Sequence, residues 1–143
     1  MPNQVHELVG GSLMITINTS RPPTDEEWND YVETYRKRGP ETLRTLVFTD
    51  GGAPNSAQRK KVNEMLDGKT TRAAVISPNS MVRGVVTALS WFNPKIKVFA
   101  PEQLDDAFRY LEIRGAEIDT VWQVIRKLQS KLGGEVLRSI PHR

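Results

Sequence analysis

Residues 43–59 read Leu43-Arg44-Thr45-Leu46-Val47-Phe48-Thr49-Asp50-Gly51-Gly52-Ala53-Pro54-Asn55-Ser56-Ala57-Gln58-Arg59. Residues 43–48 are a short run rich in apolar side chains and bounded by turn formers, the pattern of a buried strand. Asp50-Gly51-Gly52 ends it. Asn55 or Ser56 then suits a helix N-cap, because its side-chain oxygen can accept from a free backbone N–H. The helix runs over 56–66, with Val62, Met65 and Leu66 on one face, and Asp67-Gly68 stops it. A buried strand feeding a helix is the unit from which α/β sheets are built.

Both flanks extend the same pattern. Upstream, residues 5–9 and 13–17 are strand candidates joined at Gly10-Gly11, which predicts a β-hairpin with a two-residue turn. Arg21-Pro22-Pro23 breaks the chain, and Thr24 with Glu27 three residues on forms a capping box. Trp28, Tyr31, Val32 and Tyr35 follow at i, i+3, i+4 and i+7, one apolar helical stripe that Gly39-Pro40 ends. Downstream come a strand over 73–76, a helix over 80–92 stopped by Asn93-Pro94, and a strand over 96–99. Pro101 opens the next helix, and after Gly115 a last helix over 116–132 carries Ile118, Val121, Trp122, Ile125, Leu128 and Leu132. The predicted fold class is α/β: a small, mixed, mostly parallel sheet flanked by helices, with an N-terminal hairpin, β-α repeats and an extra C-terminal helix. One domain spans 1–143, with its core over 5–113 and a loose tail over 135–143.

Composition narrows the function classes. The chain has 143 residues, 38% hydrophobic and 26% charged, enough to bury one core without covalent staples. It has no cysteine, which excludes disulfides, thiolate metal sites and a cysteine nucleophile. Its two histidines, His6 and His142, stand at opposite ends, which argues against a histidine metal site or a Ser-His-Asp triad. Twenty basic residues are scattered among 17 acidic ones for a net charge of +3. The runs Arg36-Lys37-Arg38 and Arg59-Lys60-Lys61 therefore read as solvated helix faces, not as a nucleic-acid footprint. No segment reaches the ~18–20 apolar residues of a membrane span. Met1-Pro2-Asn3-Gln4 begins no secretory signal, so the cytoplasm is the expected compartment.

No catalytic signature stands out. The chain lacks a G-x-G-x-x-G fingerprint and a P-loop, so no cofactor is implied, and no metal. A phosphoacceptor role for Asp50 fails, because no acidic pair accompanies it and Phe99-Ala100-Pro101 ends the last strand without a lysine. Asp50 is a turn aspartate accepting local N–H bonds, or a site carboxylate at a strand end. Gly51 and Gly52 permit a tight turn and close approach of another backbone.

One pattern occurs twice. Pro54-Asn55-Ser56-Ala57-Gln58-Arg59 and Pro78-Asn79-Ser80-Met81-Val82-Arg83 share P-N-S-x-x-R, each after a strand and at a helix start. Parallel strands would bring both to the sheet edge where open α/β sheets take ligands. Three readings stand. The motifs are capping chemistry alone, or Arg59 and Arg83 reach an acid such as Asp50, or they bind an anion with the exposed N–H groups. The helix over 80–92 is apolar on more than one side. Met81, Val85, Trp91 and Phe92 are its candidate interface residues, for a protein partner or a second copy of the chain.

The hairpin, the β-α repeats and the loop Asp50-Gly51-Gly52-Ala53-Pro54-Asn55-Ser56 resemble the STAS domain, the fold of bacterial anti-sigma-factor antagonists, over roughly residues 5–113. That family carries an Asp-Ser pair whose serine is phosphorylated by a partner kinase. Here the pair is Asn55-Ser56, and a double glycine follows Asp50. The resemblance implies a non-enzymatic signalling module that acts by protein–protein contact and is switched at Ser56. The alternative is a small-anion or small-ligand binding protein, or an enzyme, with its site at Asp50, Asn55, Ser56, Asn79, Ser80 and Arg83. A carrier of an apolar ligand is the third reading.

Overall fold

The computed structural model describes residues 1–78, 84, 86 and 93–143. Strands β1 (Gln4–Val9) and β2 (Leu13–Asn18) pair antiparallel, with Val9 opposite Leu13. The turn between them thus holds three residues, 10–12, one more than predicted, with Gly10 at φ +61°. Strands β3 (Arg44–Thr49), β4 (Arg72–Ile76) and β5 (Ile96–Phe99) follow in parallel, giving a five-stranded mixed sheet in sequential order. The α/β class and the mostly parallel sheet are as the sequence predicts.

Helix α1 (Asp25–Arg38) starts at the predicted capping box, in which Thr24 accepts from Glu27 N and Glu27 accepts from Thr24 N. The Glu27 carboxylate also takes the backbone N–H groups of Asn3 and Gln4. Burial pushes its pKa up, but these backbone donors outweigh that and hold it below the usual value. Helix α2 (Ser56–Leu66) ends at Asp67, which sits in the left-handed region at φ 46°. Pro101–Gln103 form a single 3-10 turn, so the helix α3 (Leu104–Tyr110) begins three residues later than predicted. Helix α4 (Ala116–Ser130) follows Gly115.

Alternation along the strands gives the sheet two different faces. One carries Leu13, Ile15, Ile17, Leu46, Phe48, Ala74 and Ile76, packed against α3 and α4 in the main core. The other carries Met14, Thr16 and Asn18 on β2, Thr45, Val47 and Thr49 on β3, and Ala73 and Val75 on β4. Trp28, Tyr31 and Tyr35 of α1 cover its Met14 end. A right-handed crossover between adjacent parallel strands puts α1 and α2 on the same side, and these two helices touch.

Residues 135–143, expected to be loose, are docked instead. Leu137 is 5% exposed and Ser139 fully buried, and Ile140 packs on the main core. Arg21 pairs with Glu135 at 3.7 Å, and Arg143 pairs with Asp119. No helix among the described residues is long and apolar enough to cross a membrane.

Candidate functional site: the hydroxyl face of the sheet

The Asp50 loop is a structural joint. Asp50 Oδ2 accepts from Arg138 N at 2.6 Å and Oδ1 from Ser139 N at 2.7 Å. Its donors are therefore 88 and 89 residues away, not local as the turn-aspartate reading has it, and they leave no Asp50–Arg59 ion pair. Gly51 sits at φ 127°. Gly52 allows the close backbone approach the sequence suggests: its N–H donates to Thr19 O at 2.9 Å, and a Cβ there would lie 2.2 Å from Arg21 O.

The first P-N-S motif resolves into separate jobs. Asn55 Oδ1 accepts from Gln58 N at 2.8 Å, and Gln58 Oε1 accepts from Asn55 N at 3.0 Å, a complete capping box. Ser56 is exposed and takes no part in the cap. Arg59 turns back to donate to Pro54 O and to Ser56 Oγ, each at 2.9 Å. Gln58 is the member that the sequence reading missed. It is 2% exposed, its side chain donates to Pro23 O and Asp25 Oδ1, and its backbone carbonyl accepts from Trp28 Nε1 at 2.8 Å. Asn79, Ser80 and Arg83 of the second motif lie outside the described residues, as do Met81, Val85, Trp91 and Phe92. Val86, which is described, is buried against Val75.

Beside this loop lies a cavity of about 120 Å³. Its floor is the second face of the sheet: Thr16 and Asn18 of β2, Thr45, Val47 and Thr49 of β3, Ala73 and Val75 of β4. Trp28, Tyr31 and Tyr35 of α1 and Val62, Asn63 and Leu66 of α2 line it from above, and Gly52, Ala53 and Pro54 line one end. The cause is volume. Threonine, alanine and valine leave room under two helices where the opposite face carries leucine, isoleucine and phenylalanine.

The surface the lining presents to the cavity is mostly apolar, and it is uncharged among the described residues. No Asp, Glu, Lys, Arg or His is among the described lining residues. Tyr35 OH pairs with Thr45 Oγ1, Thr71 Oγ1 donates to Leu43 O at 2.7 Å, and Asn93 Nδ2 donates to Thr71 O at 2.9 Å. Burial pushes the Tyr31 hydroxyl up to about 12 and that of Tyr35 well above its ordinary value, so both are neutral phenols. Three lining residues hold buried oxygens with no hydrogen-bond partner among the described residues: Gln4 Oε1, Thr16 Oγ1 and Asn63 Oδ1. Thr16 is near enough to Tyr31 to favour its phenolate slightly, yet the two make no bond of normal geometry. All three oxygens are buried, so the surface they offer the cavity is small. Among the described residues, no group of three or more metal-ligating side chains gathers.

The chain matches no family model, no curated protein and no solved structure. The roles of its residues thus rest on the geometry just given.

Proposed function

We propose that the protein is a non-enzymatic binding module whose site is the cavity between the hydroxyl face of the sheet and helices α1 and α2. The carrying observation is the cavity itself, about 120 Å³ beneath α1 and α2, with a mostly apolar wall that includes Trp28 and Tyr31 and no charged side chain among the described residues. General acid–base catalysis needs a group that titrates near working pH. Among the described lining residues only two tyrosines titrate, and both are pushed upward. That chemistry holds a ligand and does not break one. We place the module in the cytoplasm, which the cysteine-free composition suits. Ligand-observed NMR of the full chain against uncharged fragments of about six to ten heavy atoms tests the reading. Saturable binders that are lost in the cavity-filling variant Val75→Phe support it. No binder, or binders that Val75→Phe leaves unchanged, would overturn it.

A second reading, a phosphorylation-switched module that meets a protein partner or a second copy, is favoured by Ser56. Asn55 and Gln58 do the capping, which leaves an exposed hydroxyl 2.9 Å from Arg59 Nη2. Arg59 has no carboxylate partner among the described residues, so a phosphate of about −1.5 to −2 charge would meet a guanidinium bonded only to Pro54 O and Ser56 Oγ there, at a helix N-terminus. Phosphopeptide mapping of the protein from its own cells is expected to find Ser56 modified. Ser56 unmodified across growth and stress conditions sinks this reading.

A further inference from the structure

The wall of the cavity also restricts the chemistry of its occupant, an inference that rests on the cavity being a ligand site. Charge is the first restriction. No charged side chain is among the described lining residues, and an unpaired ion moved out of water into such a site is heavily penalised. Size is the second. An apolar cavity of roughly 150 Å³ takes benzene, so about 120 Å³ limits the guest to a single ring with at most a methyl group added.

The third restriction comes from where the lining residues direct their hydrogen bonds. Trp28 Nε1 donates to Gln58 O at 2.8 Å, so the indole offers the cavity only its ring. Tyr35 OH pairs with Thr45 Oγ1. Thr49 Oγ1 donates to Gly52 O and Thr71 Oγ1 to Leu43 O, each at 2.7 Å. Gln4 Nε2 donates to Asn18 Oδ1 and Asn93 Nδ2 to Thr71 O, each at 2.9 Å. The oxygens without a partner, on Gln4, Thr16 and Asn63, are buried and present too little surface to meet a guest. What faces the cavity is therefore mostly carbon, from Val47, Val62, Leu66, Val75 and Ile96 beside the aromatic rings. A hydroxyl on a guest would give up its water and gain no bond there. A guest of carbon and hydrogen alone leaves water at a gain. Trp28 and Tyr31, with ring centroids 5.2 Å apart, add aromatic surface on which a ring can pack.

We infer that the cavity takes a neutral single-ring guest without hydrogen-bonding groups, of the benzene and toluene class. Size and apolarity are then the recognised features, and every polar or charged substituent is selected against.

The test is an NMR titration of the full chain with benzene, toluene, ethylbenzene, phenol and benzoate, followed at the valine methyl groups and the Trp28 indole. Benzene and toluene are expected to saturate. Phenol is expected to bind about tenfold more weakly than benzene, the cost of a hydroxyl left without a partner. Benzoate is expected not to saturate. Val75→Phe fills the floor and is expected to abolish benzene binding. Val62→Ala, a milder change on the half-buried side of α2, enlarges the cavity and is expected to shift the preference from benzene toward ethylbenzene. Phenol or benzoate binding as tightly as benzene overturns the apolar class and leaves the cavity reading standing. Benzene binding that neither variant alters places the guest elsewhere, and if no probe saturates, both readings fall.

Discussion

Gly52 is where a single hydrogen atom decides the local structure. Its Cα sits so close to the chain after β2 that a methyl group would meet two backbone oxygens, Arg21 O at 2.2 Å and Thr19 O at 2.6 Å. Backbone cannot rotate away as a side-chain tip can. Gly52→Ala is therefore expected to lower stability on the order of 3 kcal/mol in urea denaturation, near the upper end of overpacking costs. A loss below about 1 kcal/mol would show that the two segments are free to separate. Gly51, at φ 127°, has a different reason to be glycine: its backbone lies in a region L side chains rarely adopt. His6 ties stability to pH. Burial lowers its pKa below 6.5, Asp30 opposes that by raising it, and Lys131 lowers it further. The unfolded chain thus takes up a proton over a range where the folded chain stays neutral. Stability is present above about pH 6.5 and is lost as pH falls through the lowered folded value. His6→Gln is expected to flatten the stability profile over that window, and a profile as steep as the parent's would remove His6 from the account.

At the scale of elements, legibility followed how local the cause was. The caps of α1 and α2 depend on residues three apart, and Thr24 with Glu27 shows its box in the sequence. Asn55 was readable as a cap for the same reason, whereas Gln58 looked like one more polar helix residue. Its second function, tying its side-chain amide to Pro23 and Asp25 at the start of α1, needs contacts 33 to 35 residues apart. Gln58→Ala is accordingly expected to cost about 2–3 kcal/mol, since it leaves buried groups unpaired. Asn55→Ala, in the same capping box, is expected to cost about 1 kcal/mol. Equal losses in thermal or urea unfolding would reduce Gln58 to a cap. The cavity was hidden for a related reason. Thr16, Thr45 and Thr49 each read as ordinary strand residues, because β-branched side chains favour strands wherever they face. Only the register that sets Thr16 beside Val47 and Asn18 beside Thr49 reveals that one face is small and hydroxylated.

Across the whole molecule, the two faces of the sheet have different partners, and the Asp50 loop touches both. Gly52, Ala53 and Pro54 line the cavity on one side, while Asp50 grips residues 138 and 139, whose neighbours Leu137 and Ile140 pack on the main core. The C-terminal segment gave no periodic signal because nothing within it folds it. Its order comes from a carboxylate far back in the chain and from a hole in the core that Leu137 fills. Two anchors on one short segment should act as a unit, which makes their energies non-additive. Leu137→Ala is expected to cost about 3 kcal/mol through the lost burial and the void. Asp50→Ala is expected to cost about 2 kcal/mol through two charge-assisted bonds. Once either change has released the segment, the other anchor has little left to hold. The double variant should then lie within about 1 kcal/mol of the costlier single one, with the Arg138 and Ser139 amides exchanging freely with solvent in all three variants. Additive losses in urea denaturation, or amides still protected in Asp50→Ala, would show that carboxylate and leucine act independently.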